Sequence, residues 1–204
     1  MTYPDYSLET EYSKMGYTCI CGTDEAGRGP LAGDVFAAAV ILPVGTVIEG
    51  LNDSKKLSEK KREMLFEVII EKATAYCIAR SSVEEIDSLN ILNASLLAMR
   101  RAIAGLDAKV DFVLVDGNIC RDFEQDAKAV IGGDGKSMSI AAASILAKVA
   151  RDRYCKEMDA MYPQYSFAAH KGYGTKAHRA AILEYGACPL HRKTFLKKIA
   201  YEKQ

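Results

Sequence analysis

A long helical pattern rich in alanine, SIAAASILAKVARDRYCKEMDAM, occupies residues 139–161. Because alanine has a small side chain, a helix of this composition can lie unusually close to a sheet. The chain has 204 residues, 49% of them hydrophobic, which is enough for one sizeable core and a modest appendage. These features predict a globular domain in which this helix packs centrally.

Short apolar runs rich in β-branched residues predict the strands. Two of them, at residues 18–24 and 34–42, are separated by the Gly/Pro-rich stretch 27–33 and are expected to be neighbours. Further strand-like runs lie at residues 74–80, 110–115 and, with a weaker pattern, 128–131.

Apolar spacing and capping signals predict helices between and after these strands, at residues 58–72, from 82 onward, 92–104, 175–185 and 190–202. Gly105 is expected to end the helix before it in a left-handed conformation. The alternation of strands and helices indicates an α/β domain with a mixed sheet.

Four acidic side chains lie where predicted strands end. Asp24 and Glu25 close the first strand, and Asp116 and Asp134 each follow a later apolar run. Burying charged carboxylates in such places costs free energy unless they contact a cation or water. Carboxylates that converge without histidine or cysteine form an all-oxygen site, which favours Mg²⁺ or Mn²⁺ over zinc. Two such cations, roughly 3.5 to 4 Å apart, can activate a water and stabilise the leaving oxygen in phosphodiester cleavage.

The acidic pair also has a plain structural explanation. On the pattern alone, two solvated acids at a strand end account for Asp24 and Glu25 equally well. In a regular strand their side chains point to opposite faces, so both serve one site only if the chain departs from the strand, as Gly27 permits. Asp24 is the stronger candidate of the two.

Several glycine-flanked or basic segments are candidates for holding nucleic acid. Residues 27–29 (GRG) offer backbone amides and a charged donor, and Tyr173 lies between glycines beside a basic residue. Basic runs at residues 54–62 and 191–204 could hold a phosphate backbone. Ordinary turns, a packed tyrosine and solvated helix faces are the alternatives. The chain has 27 basic residues (Lys and Arg) and 27 acidic residues (Asp and Glu). Its net charge therefore neither indicates nor excludes nucleic-acid binding.

The chain shows no signal for export or membrane insertion. Its beginning, MTYPDYSLETEYS, has neither a basic nor an apolar targeting region, and no stretch approaches the roughly 18 apolar residues of a membrane span. We therefore expect a cytoplasmic protein that does not bind a membrane.

Six blocks, in order along nearly the whole chain, carry a resemblance to a known family. They are DEAGRGPLAG at 24–33, NDSKKLS at 52–58, VDGN at 115–118, GGDGKSMSIAAASILAKVARD at 132–152, HKGYGT at 170–175 and HRKTF at 191–195. With these blocks the chain resembles the bacterial ribonuclease HII family. The related type III enzymes have Lys where Arg28 stands and an additional N-terminal domain that 204 residues are too few to hold, so the resemblance favours type II.

This resemblance implies an α/β ribonuclease H-like fold with a mixed central sheet flanked by helices. The catalytic domain would span residues 1–160 and a C-terminal helical extension residues 161–204. The implied activity is endonucleolytic hydrolysis of the RNA strand of RNA/DNA hybrids and of ribonucleotides embedded in duplex DNA. Two-metal-ion catalysis with Mg²⁺ or Mn²⁺ would leave 5′-phosphate and 3′-hydroxyl ends. The protein is expected to act as a monomer.

The family's catalytic, metal-binding acids are carried over position by position. Asp24 and Glu25 match its opening acidic pair, Asp116 matches the acid of the VDG block, and Asp134 matches the acid before the Ser/Ala-rich helix.

The fourth carboxylate has alternatives, because the spacing before that helix varies within the family. Asp126 or Asp152 could take the place of Asp134. Asp152 is better explained by ion pairs with Lys148 and Lys156, which lie at helical distance from it. Asp134 is therefore the assignment.

The resemblance also implies how substrate is recognised. Gly27, Arg28 and Gly29 match the family's GRG segment and Tyr173 its tyrosine, and together they look like the reader of the ribonucleotide-to-deoxyribonucleotide junction. Backbone donors of the GRG segment would bond the 2′-hydroxyl, which distinguishes RNA from DNA. Tyr173 would stack on the following sugar.

Phosphate contact is implied for Ser54 and Lys55, which match the NDSKKLS block. Two rival functions remain open on the sequence. One is a ribonuclease H-like enzyme that acts on DNA junctions, which would cut all-DNA substrates. The other is a catalytically silent module that only binds hybrids.

Overall fold

The computed structural model describes residues 3–200. Its strands are β1 (Ile20–Ala26), β2 (Val35–Ile41), β3 (Ala75–Ser81), β4 (Phe112–Asp116) and β5 (Asp126–Val130). Its helices are α1 (Ser7–Lys14), α2 (Glu59–Lys72), α3 (Val83–Leu89), α4 (Ile91–Ala104), α5 (Met138–Met161), α6 (Phe167–His170), α7 (Lys176–Tyr185) and α8 (Lys193–Ala200). Short 3₁₀ turns cover Ser54–Lys56, Gly133–Gly135 and Pro163–Tyr165.

The five strands form one mixed sheet in the order β3-β2-β1-β4-β5. The pairs β1/β2 and β2/β3 are antiparallel, whereas β4 is parallel to both β1 and β5. The carboxyl ends of β1, β4 and β5 therefore meet at one edge of the sheet. The predicted fold class, a mixed central sheet flanked by helices with a helical C-terminal region, is confirmed.

Helices cover both faces of this sheet. On one face, α5 and α2 pack on inward-facing residues of β2, and α4 covers the opposite face with Leu96, Met99 and Ile103. Four alanines in the first half of α5, Ala141, Ala142, Ala143 and Ala147, are fully buried. At the closest point, a side chain on Gly22 of β1 would overlap the backbone of Ser139 and Ile140. The predicted close approach of this helix to the sheet is confirmed.

Helix starts follow the predicted caps. Ser58 Oγ accepts from the amide of Lys61 (3.3 Å), and Ser82 with Glu85 forms a capping box at the start of α3. The prediction for Gly105 is wrong, because its φ is −86° and not left-handed. Glycine is needed there for space: a Cβ atom would overlap Cys77 of β3.

Helix α1 has no counterpart among the sequence predictions, because its residues are mostly polar. It is fixed by a tertiary contact. Glu9 is buried, and its Oε1 accepts from Ser137 Oγ (2.6 Å) and from the amide of Ser139 (3.0 Å). The carboxylate thereby satisfies an amide in the first turn of α5.

The C-terminal helices are close to their predicted positions. Helix α7 begins after its cap Thr175 and ends at Gly186, which has φ 78°. Helix α8 covers 193–200, and the last two residues of the predicted 190–202 helix lie outside the described residues.

Helix α5 ends one residue beyond the predicted domain boundary at 160. The division into 1–160 and 161–204 stays a prediction. In the described part of the chain, no helix combines the length and apolar character needed to cross a membrane.

Candidate active site

A cavity of about 250 Å³ opens beside the carboxyl end of β1. Eight of the ten predicted site residues line it: Asp24, Glu25, Gly27, Arg28, Gly29, Ser54, Lys55 and Tyr173. The other two, Asp116 and Asp134, lie next to it, since Lys55 Nζ is 3.8 Å from Asp134 Oδ2. The fold thus brings residues from five separated sequence segments to one place.

The opening acidic pair lies inside β1. Asp24 and Glu25 pair with Ala38 and Ala37 of β2, so the strand continues past them to Ala26. The parallel pairing with β4 stops earlier, at Thr23, which frees this edge of the strand. Both acidic residues line the cavity although they are neighbours in a strand. The expected departure from the strand comes directly afterwards, at Gly27, whose φ is 105°.

Asp116 and Asp134 are tied together by a backbone contact. Asp116 is the last residue of β4, and its Oδ1 accepts from the amide of Gly133 (2.7 Å). A Cβ on Gly133 would lie 2.6 Å from Ile140 Cδ1, so Gly133 lies in close contact with α5. This close approach places the turn that carries Asp134 against the end of β4.

Burial raises the pKa values of Asp24, Glu25 and Asp134, and repulsion between carboxylates adds to the shift. For Asp24 and Asp134, burial is the main cause of the raised pKa, and the charge of Asp116 adds to it. For Glu25, burial raises the pKa while Arg28, 3.3 Å away, opposes the shift. Clustered carboxylates of this kind are stabilised by a bound cation.

The donor set fits a hard divalent cation. Among the residues the structure describes, no group of three or more His, Cys, Asp or Glu side chains is arranged closely enough to enclose a metal ion. The four carboxylates nevertheless offer only oxygen donors, the type that Mg²⁺ and Mn²⁺ prefer. If a metal binds here, Asp24, Glu25, Asp116 and Asp134 are the residues that would hold it.

The two alternative acids are placed elsewhere or already paired. Asp126 starts β5 opposite Phe112, at the far end of the strand pair from Asp116, and Tyr17 donates to it (2.6 Å). Asp152 is paired with Lys148 (2.6 Å), as expected.

The second expected partner of Asp152 is wrong. Lys156 pairs with Glu59 (3.0 Å), and Arg62, 3.4 Å away, contacts Asp152 instead. The neighbouring helix α2 supplies a longer and better placed side chain than the next turn of α5. Asp134 therefore remains the candidate for the fourth carboxylate.

The Ser54–Lys56 turn forms one wall of the cavity. Ser54 is buried and its Oγ lies 2.8 Å from Ser144 Oγ of α5, while Lys55 has 78% of its side chain exposed. Arg62, at the end of the predicted basic run, turns inward and donates to Ser54 O (3.0 Å). Lys55, whose exposed ammonium lies 3.8 Å from Asp134, can therefore also contact an anion, whereas Arg62 holds the turn in place.

The GRG turn, residues 27–29, forms the opposite wall. A side chain on Gly27 would overlap the guanidinium of Arg151, so a residue with a Cβ does not fit. The backbone amides of Arg28 and Gly29 donate to no other group in residues 3–200. Two unused donors therefore line the cavity beside the carboxylates.

Tyr173 completes the rim next to this turn. It is 48% exposed, and its ring edge lies 3.4 Å from the point that a Cβ of Gly29 would occupy. Its carbonyl oxygen accepts from the amide of Thr175 (2.8 Å) and lies 2.9 Å from Nδ1 of the buried His178. Its backbone is thus fixed while its ring is open to a ligand.

Two buried arginines were missed as parts of this site. Residues 191–204 are a candidate basic surface for phosphate, with a solvated helix face as the alternative, but Arg192 has no exposed surface and contacts the GRG turn, so neither interpretation holds for it. Arg151, inside α5, is also buried. The available signal was the position of Arg192 in the HRKTF block. Lys193 and Lys197 are exposed, whereas the side chains of later lysines lie outside the described residues.

Acid is expected to destabilise the fold through a buried histidine pair. His178 and His191 lie with their Nε2 atoms 3.1 Å apart, and burial lowers the pKa of His178 to about 4 and also lowers that of His191. Below pH ~6.5 these histidines bind protons in the unfolded chain but stay neutral in the folded chain. The free energy of unfolding is therefore highest above this pH and decreases as the pH falls. Between pH 7 and 5 we expect a loss on the order of 2 kcal/mol. Urea unfolding at several pH values should show that His178→Gln loses less stability than wild type as the pH falls. The same pH dependence in both proteins would contradict this account.

Comparison with known proteins identifies the family. The family model described as Ribonuclease HII matches residues 21–202. Ribonuclease HII of Caldicellulosiruptor saccharolyticus is 55% identical over 95% of this chain and 95% of its own, and that of Coxiella burnetii is 59% identical over 92% and 94%. The crystal structure of ribonuclease H2 from Pyrococcus horikoshii superposes with a TM-score of 0.73 at 26% identity, covering 91% of this chain and 98% of that one. On this evidence, the chain belongs to the ribonuclease HII family.

Proposed function

We propose that this protein cuts the RNA strand at ribonucleotide-to-deoxyribonucleotide junctions, including a single ribonucleotide in duplex DNA. Cleavage leaves a 5′-phosphate and a 3′-hydroxyl. The observation that carries the proposal is the placement of two acids, Asp24 and Glu25, in a cavity beside a turn with two unused amide donors, with Asp116 and Asp134 next to it. We expect it to act as a monomer in the cytoplasm.

Family membership already fixes the coarser activity. The chain is an endoribonuclease of the ribonuclease H type, which hydrolyses the RNA strand of RNA/DNA hybrids. The finer proposal concerns the metal ions, the junction and the residues that recognise it.

The proposed cofactor is Mg²⁺ or Mn²⁺, with two ions during catalysis. Bound ions would supply Lewis acidity to the scissile phosphate and to the attacking water. The role of Asp24, Glu25, Asp116 and Asp134 is to hold these ions, which the mutual repulsion of their carboxylates favours. No side-chain nucleophile is required, and the three histidines have no place in the reaction.

Junction recognition is assigned to the GRG turn and Tyr173. The unused amides of Arg28 and Gly29 can donate to the 2′-hydroxyl that marks a ribonucleotide. The half-exposed ring of Tyr173, beside Gly29, can stack on the next sugar, where an extra hydroxyl would be disfavoured. Lys55 and Ser54, on the opposite wall, are assigned to a phosphate of the cut strand.

The proposal is tested by cleavage of three duplexes, in Mg²⁺ and in Mn²⁺: DNA with one ribonucleotide, a uniform RNA/DNA hybrid, and all-DNA. We expect one metal-dependent cut 5′ of the single ribonucleotide, cuts within the hybrid, and none in all-DNA. Equal cutting of the all-DNA duplex would favour the DNA-junction rival. Tight binding without cleavage in either metal would favour the silent binding module.

Removal of the Tyr173 ring is expected to weaken junction cleavage selectively. Stacking on an aromatic ring contributes about 1 to 3 kcal/mol, so Tyr173→Ala should lower kcat/KM on the single-ribonucleotide duplex by about tenfold. Tyr173→Phe retains the ring and should stay near wild type. The exposed Tyr185 lies outside the cavity, so Tyr185→Ala is a matched control. Equal activity of Tyr173→Ala and Tyr173→Phe would remove stacking from the proposal.

A further inference from the structure

The buried guanidinium of Arg192 binds several backbone carbonyl groups of the loop after β1. Arg192 donates to the carbonyl oxygens of Gly27 (2.6 Å), Arg28 (2.9 Å), Pro30 (2.9 Å) and Gly33 (2.7 and 2.9 Å). Burial, with another arginine close by, lowers the pKa of Arg192 to about 9, so it remains charged at neutral pH. A charged group is retained here against a desolvation cost, and its contacts define the shape of the loop.

A second buried arginine links this loop to the chain that carries Tyr173. Arg151 donates to the carbonyl oxygens of Asp34 (3.3 Å) and Lys171 (3.0 Å). Backbone bonds reinforce the link, since the amide of Leu31 donates to Gly172 O (2.8 Å). The GRG turn and Tyr173 are therefore fixed relative to each other.

The contacts of Arg192 also determine where the amides of the turn point. Every described peptide bond is trans, and in a trans peptide the C=O and N–H point in opposite directions. Because the carbonyls of Gly27 and Arg28 point toward Arg192, the amides that follow them, those of Arg28 and Gly29, point away from it. These are the two donors that remain unused beside the cavity.

We propose that Arg192 is a positioning residue that determines specificity for the single ribonucleotide. By holding the two carbonyls, it presents the two amides to the 2′-hydroxyl. All of its described hydrogen bonds go to backbone carbonyls, so it acts through the turn and touches neither substrate nor carboxylates. The inference rests on the proposed function of the GRG turn.

Two substrates separate positioning from general activity. A uniform RNA strand offers a 2′-hydroxyl at every position, so a displaced turn still finds one nearby, whereas a single ribonucleotide offers one only. In Arg192→Lys the charge stays, but one ammonium cannot reach all four carbonyls. The measured quantity is kcat/KM on the single-ribonucleotide duplex divided by kcat/KM on the uniform hybrid. We expect this ratio to fall about tenfold in Arg192→Lys. That is a smaller loss of rate than the roughly hundredfold loss that a full 1 Å misplacement causes.

The ratio is measured on one enzyme preparation, so a partial loss of folded protein cancels. Arg153→Lys is the matched control, because Arg153 is an exposed arginine of α5 that pairs with Glu63 (2.6 Å), and its ratio should equal that of wild type. Arg151→Lys should lower the ratio by a smaller factor, and it takes the place of Arg192→Lys if thermal unfolding shows that the latter does not fold.

Each remaining outcome decides the matter. A folded Arg192→Lys with an unchanged ratio overturns the inference and leaves the proposed function intact. Failure of both arginine variants to fold also overturns it, because the guanidinium would then be a requirement of the fold. If wild type itself does not cut the single-ribonucleotide duplex, the proposed function fails and the inference fails with it.

Discussion

Asp116→Asn is expected to lower kcat/KM on the single-ribonucleotide duplex by at least about 10³-fold, or about 4 kcal/mol of transition-state stabilisation. Asp116 ends β4, and its charge raises the pKa of Asp24, Glu25 and Asp134, so it is the acid that the other three share. Asparagine retains the oxygen that accepts from Gly133. The turn that carries Asp134 should therefore stay in place while the cation site loses a charge.

The measurement is single-turnover cleavage in Mg²⁺ and in Mn²⁺, with substrate binding measured separately. Asp126→Asn is the matched control, because it makes the same chemical change at the opposite end of the β4/β5 pair, where Tyr17 contacts it. It should keep wild-type activity. Retention of more than about a tenth of the activity in Asp116→Asn would exclude Asp116 as a metal ligand.

Gly22→Ala is expected to destabilise the fold by about 3 kcal/mol or more, although it adds only a methyl group. The added carbon would overlap the backbone of Ser139 and Ile140, and backbone in the first turn of a buried helix cannot move aside as a flexible side chain can. Helix α5 would have to shift away from β1. Because Ser144 of the same helix contacts Ser54, the cavity wall would move with it.

Thermal unfolding without metal measures this effect, with an expected fall in Tm of roughly 6 to 12 °C for a domain of this size. Gly135→Ala is the control, since nothing lies within 4 Å of its added Cβ and its φ is not left-handed. That variant should unfold near the wild-type temperature. Equal Tm values for the two variants would mean that α5 and β1 are not packed as closely as described.

Much of the site could be predicted from local sequence. Asp24, Glu25 and Asp116 follow apolar runs, which makes them candidates on the local pattern, and the resemblance of the six sequence blocks to the ribonuclease HII family implies their role as metal ligands. Eight of the ten predicted site residues line one cavity. Their catalytic and binding roles stay predictions, which the variants described above test.

The errors have one physical origin. Gly105 was expected to serve a left-handed helix end, but it is required by the close approach of Cys77, 28 positions earlier in the chain. Lys156 was expected to pair with Asp152 along the helix, but residues of α2 supply the partners of both. Helix α1 was missed because a distant contact, Glu9 with α5, fixes it. In each case a contact between distant segments outweighs the local preference.

The sequence by itself determined the α/β class, the strands, the position of the central helix and the acids near the carboxyl ends of β1 and β4, because these depend on periodicity and on neighbours in the chain. Only the tertiary structure decided that Arg192 is buried behind the GRG turn, which way the amides of Arg28 and Gly29 point, and that Tyr173 lies beside Gly29. Burial and hydrogen bonding between segments some 160 residues apart depend on how the elements pack, and no local pattern records that.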